Sequence, residues 1–261
     1  VAEQNDFLKP LIREGLFFNT LYHLDVVEST NEWLKQRVRK GKLSSGTVVS
    51  ASHQTSGRGQ IGTSWQDKPG QNLLMTAFWR PIQFQIDIQY LLNMSICLAL
   101  ADVCLKYIKT DIHIKWPNDI YFKDQKLVGI LIENSLAKKW EACFIGLGVN
   151  VNQLDFPSDF RATSLKKLTD LEVDVLQLRL EVVEALEIHL LRLAKGETKQ
   201  ILQDYYQRLL GMGEWRLFEK KGQLFEGRIE GVSKEGLLLV QTREGHILKS
   251  GVKEISFIWD H

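Results

Sequence analysis

Cysteine is scarce in this chain of 261 residues: Cys97, Cys104 and Cys143 are all it has. An odd, sparse set of thiols points away from a disulfide framework and toward a reducing compartment, so the expected location is the cytoplasm. Cys97 and Cys104 lie seven apart in an apolar stretch, on one face of a helix, and read as buried core thiols. Excess charge of one sign is missing too. The 33 Lys+Arg are balanced by 32 Asp+Glu, for a net charge of +1. A dedicated nucleic-acid binder is usually far more basic, so no nucleic-acid partner is expected. Long hydrophobic runs are lacking: nothing approaches the ~18 residues a spanning helix needs. The most apolar windows, such as 142–151, are of strand length, and no membrane partner is expected. No basic flank followed by an apolar core marks a signal peptide. The six histidines, His23, His53, His113, His189, His246 and His261, are scattered, with no pair at metal-ligand spacing. A protein-held metal is therefore not expected. A G-x-S-x-G elbow is absent as well.

What is present is a composition for folding, 44% hydrophobic and 25% charged, which excludes a disordered chain. Residues 1–20 show no clear period. A strand is expected over 21–27, then a helix opened by Ser29, with Glu32 completing a capping-box pattern and Gly41 as its stop. The basic residues Lys35, Arg37, Arg39, Lys40 and Lys42 in its last turns complement the helix dipole; a nucleic-acid patch is the alternative. Strands over 47–53 and 73–79 flank a polar loop, 54–70. Apolar residues every three or four positions predict a long buried helix over 87–108. Strands over 112–116, 120–122, 127–132 and 143–151 follow, separated by short turns, as in a mixed and mainly antiparallel sheet. Helices are expected over 175–193, with His189 at its surface or boundary, and over 201–210. After Gly213 come five short strands, a small β-barrel whose eight basic and eight acidic residues leave it neutral.

Four segments carry candidate chemistry. Residues 57–62, G-R-G-Q-I-G, satisfy G-x-G-x-x-G. No helix start follows, as a dinucleotide turn requires, and Thr63 stands where a Walker A loop has Lys. The open readings are a plain mobile loop and a glycine loop whose backbone N–H groups and Arg58 approach an anion. Lys115 ends a strand between Ile114 and Trp116, apolar neighbours that focus its charge, ahead of the turn Pro117-Asn118-Asp119. In 126–133 and 146–152, glycines interrupt strand patterns, which implies close approach by a ligand or another backbone.

In order along the chain, E-S-T-N (28–31), Q-T-S-G-R-G-Q-I-G-T-S-W (54–65), K-W-P-N-D-I (115–120), K-L-V-G-I-L-I-E (126–133) and G-L-G-V-N-V-N (146–152) closely resemble biotin protein ligases. The resemblance covers roughly residues 21–152 and extends to the small terminal barrel. It implies an α+β fold: a mixed sheet with helices, related to class II aminoacyl-tRNA synthetases, over 1–212, and an SH3-like domain over 213–261. It also implies ATP and biotin as substrates, with Mg²⁺ expected, and a biotin carboxyl carrier domain as partner. Biotin's carboxylate would attack the α-phosphate of ATP, and the acyl group of biotinyl-5′-AMP would pass to a carrier lysine. The meeting of two anions calls for preorganised cations, and the resemblance places Lys115 and Arg58 there. It implies a biotin site of Ser29, Thr30, Asn31, Gln54, Gly57, Arg58, Gly59, Gln60, Lys115 and Gly129. It implies a nucleotide site of Arg58, Gly59, Gln60, Trp65, Asn118 and Asn150.

Two departures stand out. Gln60 and Thr63 occupy positions where many relatives carry Arg, so only a neutral amide is offered at 60. Some relatives also repress transcription through an N-terminal winged helix. Here the resemblance begins near Leu21, and the expectation is a ligase without that activity. A protein that stores biotin without catalysis, and a lipoate ligase, are the competing readings; a storage site has no need of phosphate-binding cations.

Overall fold

The computed structural model describes residues 10–259 apart from 61, 83, 111, 137–139 and 159; most of the aperiodic N-terminus and His261 lie outside the described residues. Eight strands form one sheet: β1 (Leu11–Ile12), β2 (Thr20–Val27), β3 (Thr47–Gln54), β4 (Asn72–Trp79), β5 (Ile112–Lys115), β6 (Asp119–Phe122), β7 (Gln125–Leu136) and β8 (Trp140–Asn150). Their order is β1-β2-β3-β4-β8-β7-β6-β5. Among the described strands of this sheet only β2 and β3 pair in parallel, joined by a crossover through helix α1 (Thr30–Arg39); the other strand pairs are antiparallel. The mixed α+β sheet expected from sequence is what the chain forms.

Alternation along the strands decides what lies on each face. In β8, Cys143, Ile145, Leu147 and Val149 enter the main core. Against them packs α2 (Gln89–Ile108), with α4 (Val175–Ala194) and α5 (Thr198–Arg208) alongside. The opposite face carries a smaller cluster, in which Trp33 and Leu34 of α1 cover Val49, Phe78 and Phe144. On that face α1 ends at Arg39 with Lys40 as its C-cap, and Gly41 takes φ +67°, the left-handed stop expected of it.

Three sequence expectations need correcting. The segment Ile86–Ile108 is long and apolar enough by length and composition to cross a membrane, although no uninterrupted apolar run shows it. Two-thirds of it is buried in the fold, because it runs between the sheet and α4 and meets apolar neighbours nearly all round. His189 is buried, not at the surface: its Nε2 lies 2.7 Å from Asp102 Oδ2, and Arg208 holds the other oxygen at 2.6 Å. Burial opposes the Asp102 charge, yet these hydrogen bonds hold its carboxyl below the usual carboxylate range. His189 is buried because α2 packs along that side of α4 and presents Asp102 to it. Finally, Ser29 occupies the N-cap of α1 but its side chain makes no capping bond; Glu32 turns to Arg58 instead. The short helix α3 (Leu165–Thr169) and strand β1 went unanticipated.

The C-terminal strands β9 (Trp215–Lys220), β10 (Gln223–Val232), β11 (Leu238–Thr242), β12 (Ile247–Ser250) and β13 (Ser256–Phe257) form a second antiparallel sheet, ordered β12-β11-β10-β9-β13. Its Phe218, Ile229, Leu238 and Val240 join the same apolar cluster as the large sheet. The two sheets thus share one core and meet directly.

Candidate active site

On the α1 face, β7 and β8 lack side chains where they would be largest. Gly129 pairs with Gly148, and Leu131 with Gly146, so the three glycines make a bare strip. A Cβ on Gly148 would lie 2.5 Å from the Trp65 ring, one on Gly129 2.7 Å, and one on Gly146 2.7 Å from Asn31 Oδ1. The close approach inferred from sequence is therefore made by two side chains, the indole of Trp65 and the amide of Asn31.

Hydroxyls and amides build the floor beside this strip. Gln54 Oε1, at the end of β3, accepts from the Thr30 N–H at 2.8 Å and from Thr30 Oγ1 at 3.0 Å. Thr76 Oγ1 lies within hydrogen-bond distance of Thr30 Oγ1 and Asn31 Oδ1, and its single proton serves one at a time. Asn31 Nδ2 donates to Glu133, whose other oxygen pairs with Lys35 at 2.6 Å. Arg37 lies over the Trp33 ring, so two members of the basic cluster on α1 have local partners. Ser29, Thr30 and Asn31 are buried, and the network fixes the orientations of Thr30 and Asn31.

The glycine loop folds back over the floor as a small hairpin. Gly59 N–H donates to Thr63 O at 2.8 Å, and Trp65 N–H to Gly57 O at 3.0 Å. Gly57 faces the Trp65 carbonyl, where a Cβ would come within 2.6 Å. That hairpin drops Trp65 onto the strip. Its buried Nε1–H has no hydrogen-bond partner among the described residues. Gln60 Nε2 donates to Asn118 Oδ1 at 2.7 Å, tying the loop to the turn after β5. Gln60→Ala removes this tie, a bond worth about 0.5–1.5 kcal/mol. We expect amide hydrogen exchange at Gly59 and Trp65, the hairpin donors, to quicken by roughly three- to tenfold.

Between loop, floor and second sheet lies a cavity of about 640 Å³. Of the residues anticipated from sequence, Ser29, Thr30, Asn31, Gln54, Arg58, Gly59, Gln60, Trp65, Lys115, Gly129 and Asn150 line it. Gly57 and Asn118 are not among its lining. Gly57 is taken up by the hairpin, and Asn118 is buried beneath Gln60. The sequence reading assigns no site role to Lys126, Arg161 and Lys253, which also line the cavity, along with Asp119, Tyr121 and Phe257. Among the described lining residues five are cations, and Asp119 is the one carboxylate. Asp119 is paired with Lys126 at 2.7 Å. Burial lowers the Lys115 pKa from the usual lysine value; Asp119 opposes the shift, and Lys126 adds to it. Arg58, half exposed, pairs with Glu32 at 2.7 Å.

A model of the Biotin/lipoate A/B protein ligase family matches residues 23–150, which include the floor, the loop and the glycine strip. The bifunctional ligase/repressor BirA of Bacillus spizizenii is 31% identical over 234 residues, 86% of this chain and 70% of that protein. The chain belongs to the biotin protein ligase family. The biotin–[acetyl-CoA-carboxylase] ligase of Mycobacterium tuberculosis is 30% identical over 196 residues, 73% of this chain and 72% of that ligase. The biotin protein ligase of Aquifex aeolicus, solved with biotin and ATP, superposes with a TM-score of 0.77 at 28% identity. That match covers 92% of this chain and 99% of the other, so both sheets of a biotin protein ligase are present here.

Among the described residues no three His, Cys, Asp or Glu side chains gather as a metal site. Asp119, the one lining carboxylate, is already engaged. The described residues therefore do not form a cage for a resident Mg²⁺.

Proposed function

We propose that this cavity joins biotin to ATP as biotinyl-5′-AMP and then passes the biotinyl group to a lysine of a biotin carboxyl carrier domain. The observation that carries this reading is the asymmetry of the cavity: a neutral floor of hydroxyls and amides below, and five cations against one paired carboxylate around it. A ureido head has N–H donors and a carbonyl acceptor, and the floor of Ser29, Thr30, Asn31 and Gln54 is made of groups that complement both. A carboxylate and a triphosphate have only acceptors and negative charge, which suit Lys115, Lys126, Arg58, Arg161 and Lys253.

In the first step a biotin carboxylate oxygen bonds to the α-phosphorus, the bond from that phosphorus to its bridging oxygen breaks, and pyrophosphate leaves. Lys115 lies between the two anions, reducing their repulsion and stabilising the charge that builds on the phosphorus oxygens. Arg58 exchanges Glu32 for a phosphate oxygen. Asn150 faces the adenylate, and the unpartnered Nε1–H of Trp65 finds its acceptor on the bound molecule. In the second step a neutral carrier lysine attacks the acyl carbon, forming the amide and releasing AMP. Mg²⁺, where the reaction uses it, would be brought by the triphosphate and would lessen its charge, since Asp119, the one carboxylate among the described lining residues, is paired with Lys126. Residues 1–212 form the catalytic unit and 213–261 the unit that closes its cavity.

Incubation with ATP, Mg²⁺ and radiolabelled biotin, with and without a carrier domain, tests the reading. The expected result is pyrophosphate release from ATP and biotin without the carrier, and label on the carrier only when all components are present. Labelling with lipoate in preference to biotin would overturn the substrate.

A further inference from the structure

The second sheet reaches into the cavity, and the charge it meets there is Lys115. We propose that Phe257, on the last strand of that sheet, positions the Lys115 ammonium, so that seating of the C-terminal sheet is a condition of adenylate formation. The inference rests on the role given to Lys115 above.

Lys115 Nζ stands 5.4 Å from the ring centre of Tyr121 and 5.9 Å from that of Phe257. The two rings come from different sheets. Tyr121 lies on β6, next to the strand that carries Lys115, whereas Phe257 lies on β13, more than 130 residues on. Neither ring is free to turn away. Phe257 packs against Phe218 at 5.0 Å and Trp259 at 6.2 Å, and Trp259 stacks on Tyr121 at 5.8 Å with planes 16° apart. The aromatic series Tyr121–Trp259–Phe257 thus bridges the sheets beside the ammonium. A second tie joins the same segment to the same sheet: Trp116 Nε1–H donates to the Gly236 carbonyl at 3.1 Å.

A lysine side chain has four rotatable bonds and a small ammonium, so aiming it requires partners. Asp119 pairs with Lys126 and not with Lys115. The charges of Asp119 and Lys126 act on Lys115 with opposite sign, and what its ammonium meets in direct approach is π electron density, which attracts a cation without neutralising it as a carboxylate would. In its charged form the ammonium keeps its full charge for the incoming anions. Without Phe257 the wall on the second-sheet side is gone and the side chain gains freedom. The loss would fall on the rate of adenylation rather than on biotin binding, since the floor that holds the ureido head is elsewhere.

Packing and π attraction are separated by fluorination, which keeps the ring's shape while draining its face of negative charge. Phe257 is replaced in the full chain by 4-fluoro-, 3,5-difluoro- and pentafluorophenylalanine, and conventionally by Tyr and Leu. Pyrophosphate release on mixing with biotin and ATP is followed across pH, and biotin affinity is measured separately. Adenylation is expected to fall stepwise along the fluorinated series, to about one-tenth for the pentafluoro ring, with the alkaline limb moving to lower pH and biotin affinity unchanged. Phe257→Tyr keeps the rate and Phe257→Leu behaves like the pentafluoro variant. A flat fluorinated series, in an enzyme whose Lys115→Ala variant has lost adenylation, overturns the role of Phe257 and leaves the site reading standing. An active Lys115→Ala variant overturns that reading, and this inference with it.

Discussion

Lys115→Ala lowers the rate of adenylate formation by about 10²–10³-fold, the order expected when one preorganised charge-stabilising group is lost. The cause is electrostatic. Two anions must come within bonding distance in a cavity whose walls include Trp65, Phe156, Phe160 and Phe257, where water cannot screen them well. Removing the ammonium leaves their repulsion unopposed at the reacting centre, while the floor that holds biotin's head is untouched. Biotin affinity therefore changes far less than the rate. The wild-type rate carries a second signature. Burial lowers the Lys115 pKa from the ordinary value, so the functional, charged form is present below that lowered pKa and is lost as pH rises through it. The alkaline limb of the adenylation profile falls below the ~10.4 of a free lysine. Lys115→Arg keeps its charge throughout that range and abolishes the limb, though its planar head fits the place of an ammonium poorly and the rate stays low. Single-turnover pyrophosphate release from pH 6 to pH 10 measures both effects; a Lys115→Ala variant within threefold of wild type would remove Lys115 from the mechanism.

How much of this was legible in the sequence differs from residue to residue. Short bounded apolar runs placed β4 and β8, which are buried at nearly every position, and apolar residues recurring every three or four positions placed α2 and α4, all to within a few residues. The glycines of β7 and β8 announced a close approach, since a strand interior otherwise favours larger side chains. What approached them was hidden, because the Trp65 ring arrives from a loop more than 60 residues away in sequence. The same holds for Lys126, Arg161 and Phe257: each is an ordinary surface-type or strand residue locally, and becomes a cavity wall only when β7, the 156–162 segment and β13 converge. Glu32 shows the reverse. Its spacing from Ser29 satisfied a local capping rule, yet its carboxylate is held by Arg58, and the tertiary ion pair prevailed over the local pattern.

Gly148→Ala should disable adenylation while leaving the fold in place. Its Cβ would come within 2.5–2.8 Å of three atoms of the Trp65 ring, closer than any packed pair tolerates. The ring has no room to sink, because Gly129 and the β7–β8 ladder lie beneath it. It must rise off the strip, and the hairpin bond from Trp65 N–H to Gly57 O lifts the glycine loop with it. Arg58, Gly59 and Gln60 then move relative to Lys115, which is fixed on β5. A displacement of about 1 Å between reacting groups can cost about 10²-fold in rate, and a loss of roughly 30- to 100-fold is expected here. The mutation adds one methyl group on the cavity side of a strand whose other face holds the core, so Tm should move by only a few degrees. The mechanism is separable from a direct clash with substrate by a double-mutant cycle. Trp65→Ala alone costs the indole's contribution; combined with Gly148→Ala it removes the ring that the new methyl strikes. If the damage runs through Trp65, the second mutation adds little to the first, and the coupling is large because the two side chains touch. Costs that simply multiply would show instead that the methyl meets the substrate itself, and that Trp65 is not what the glycine strip accommodates.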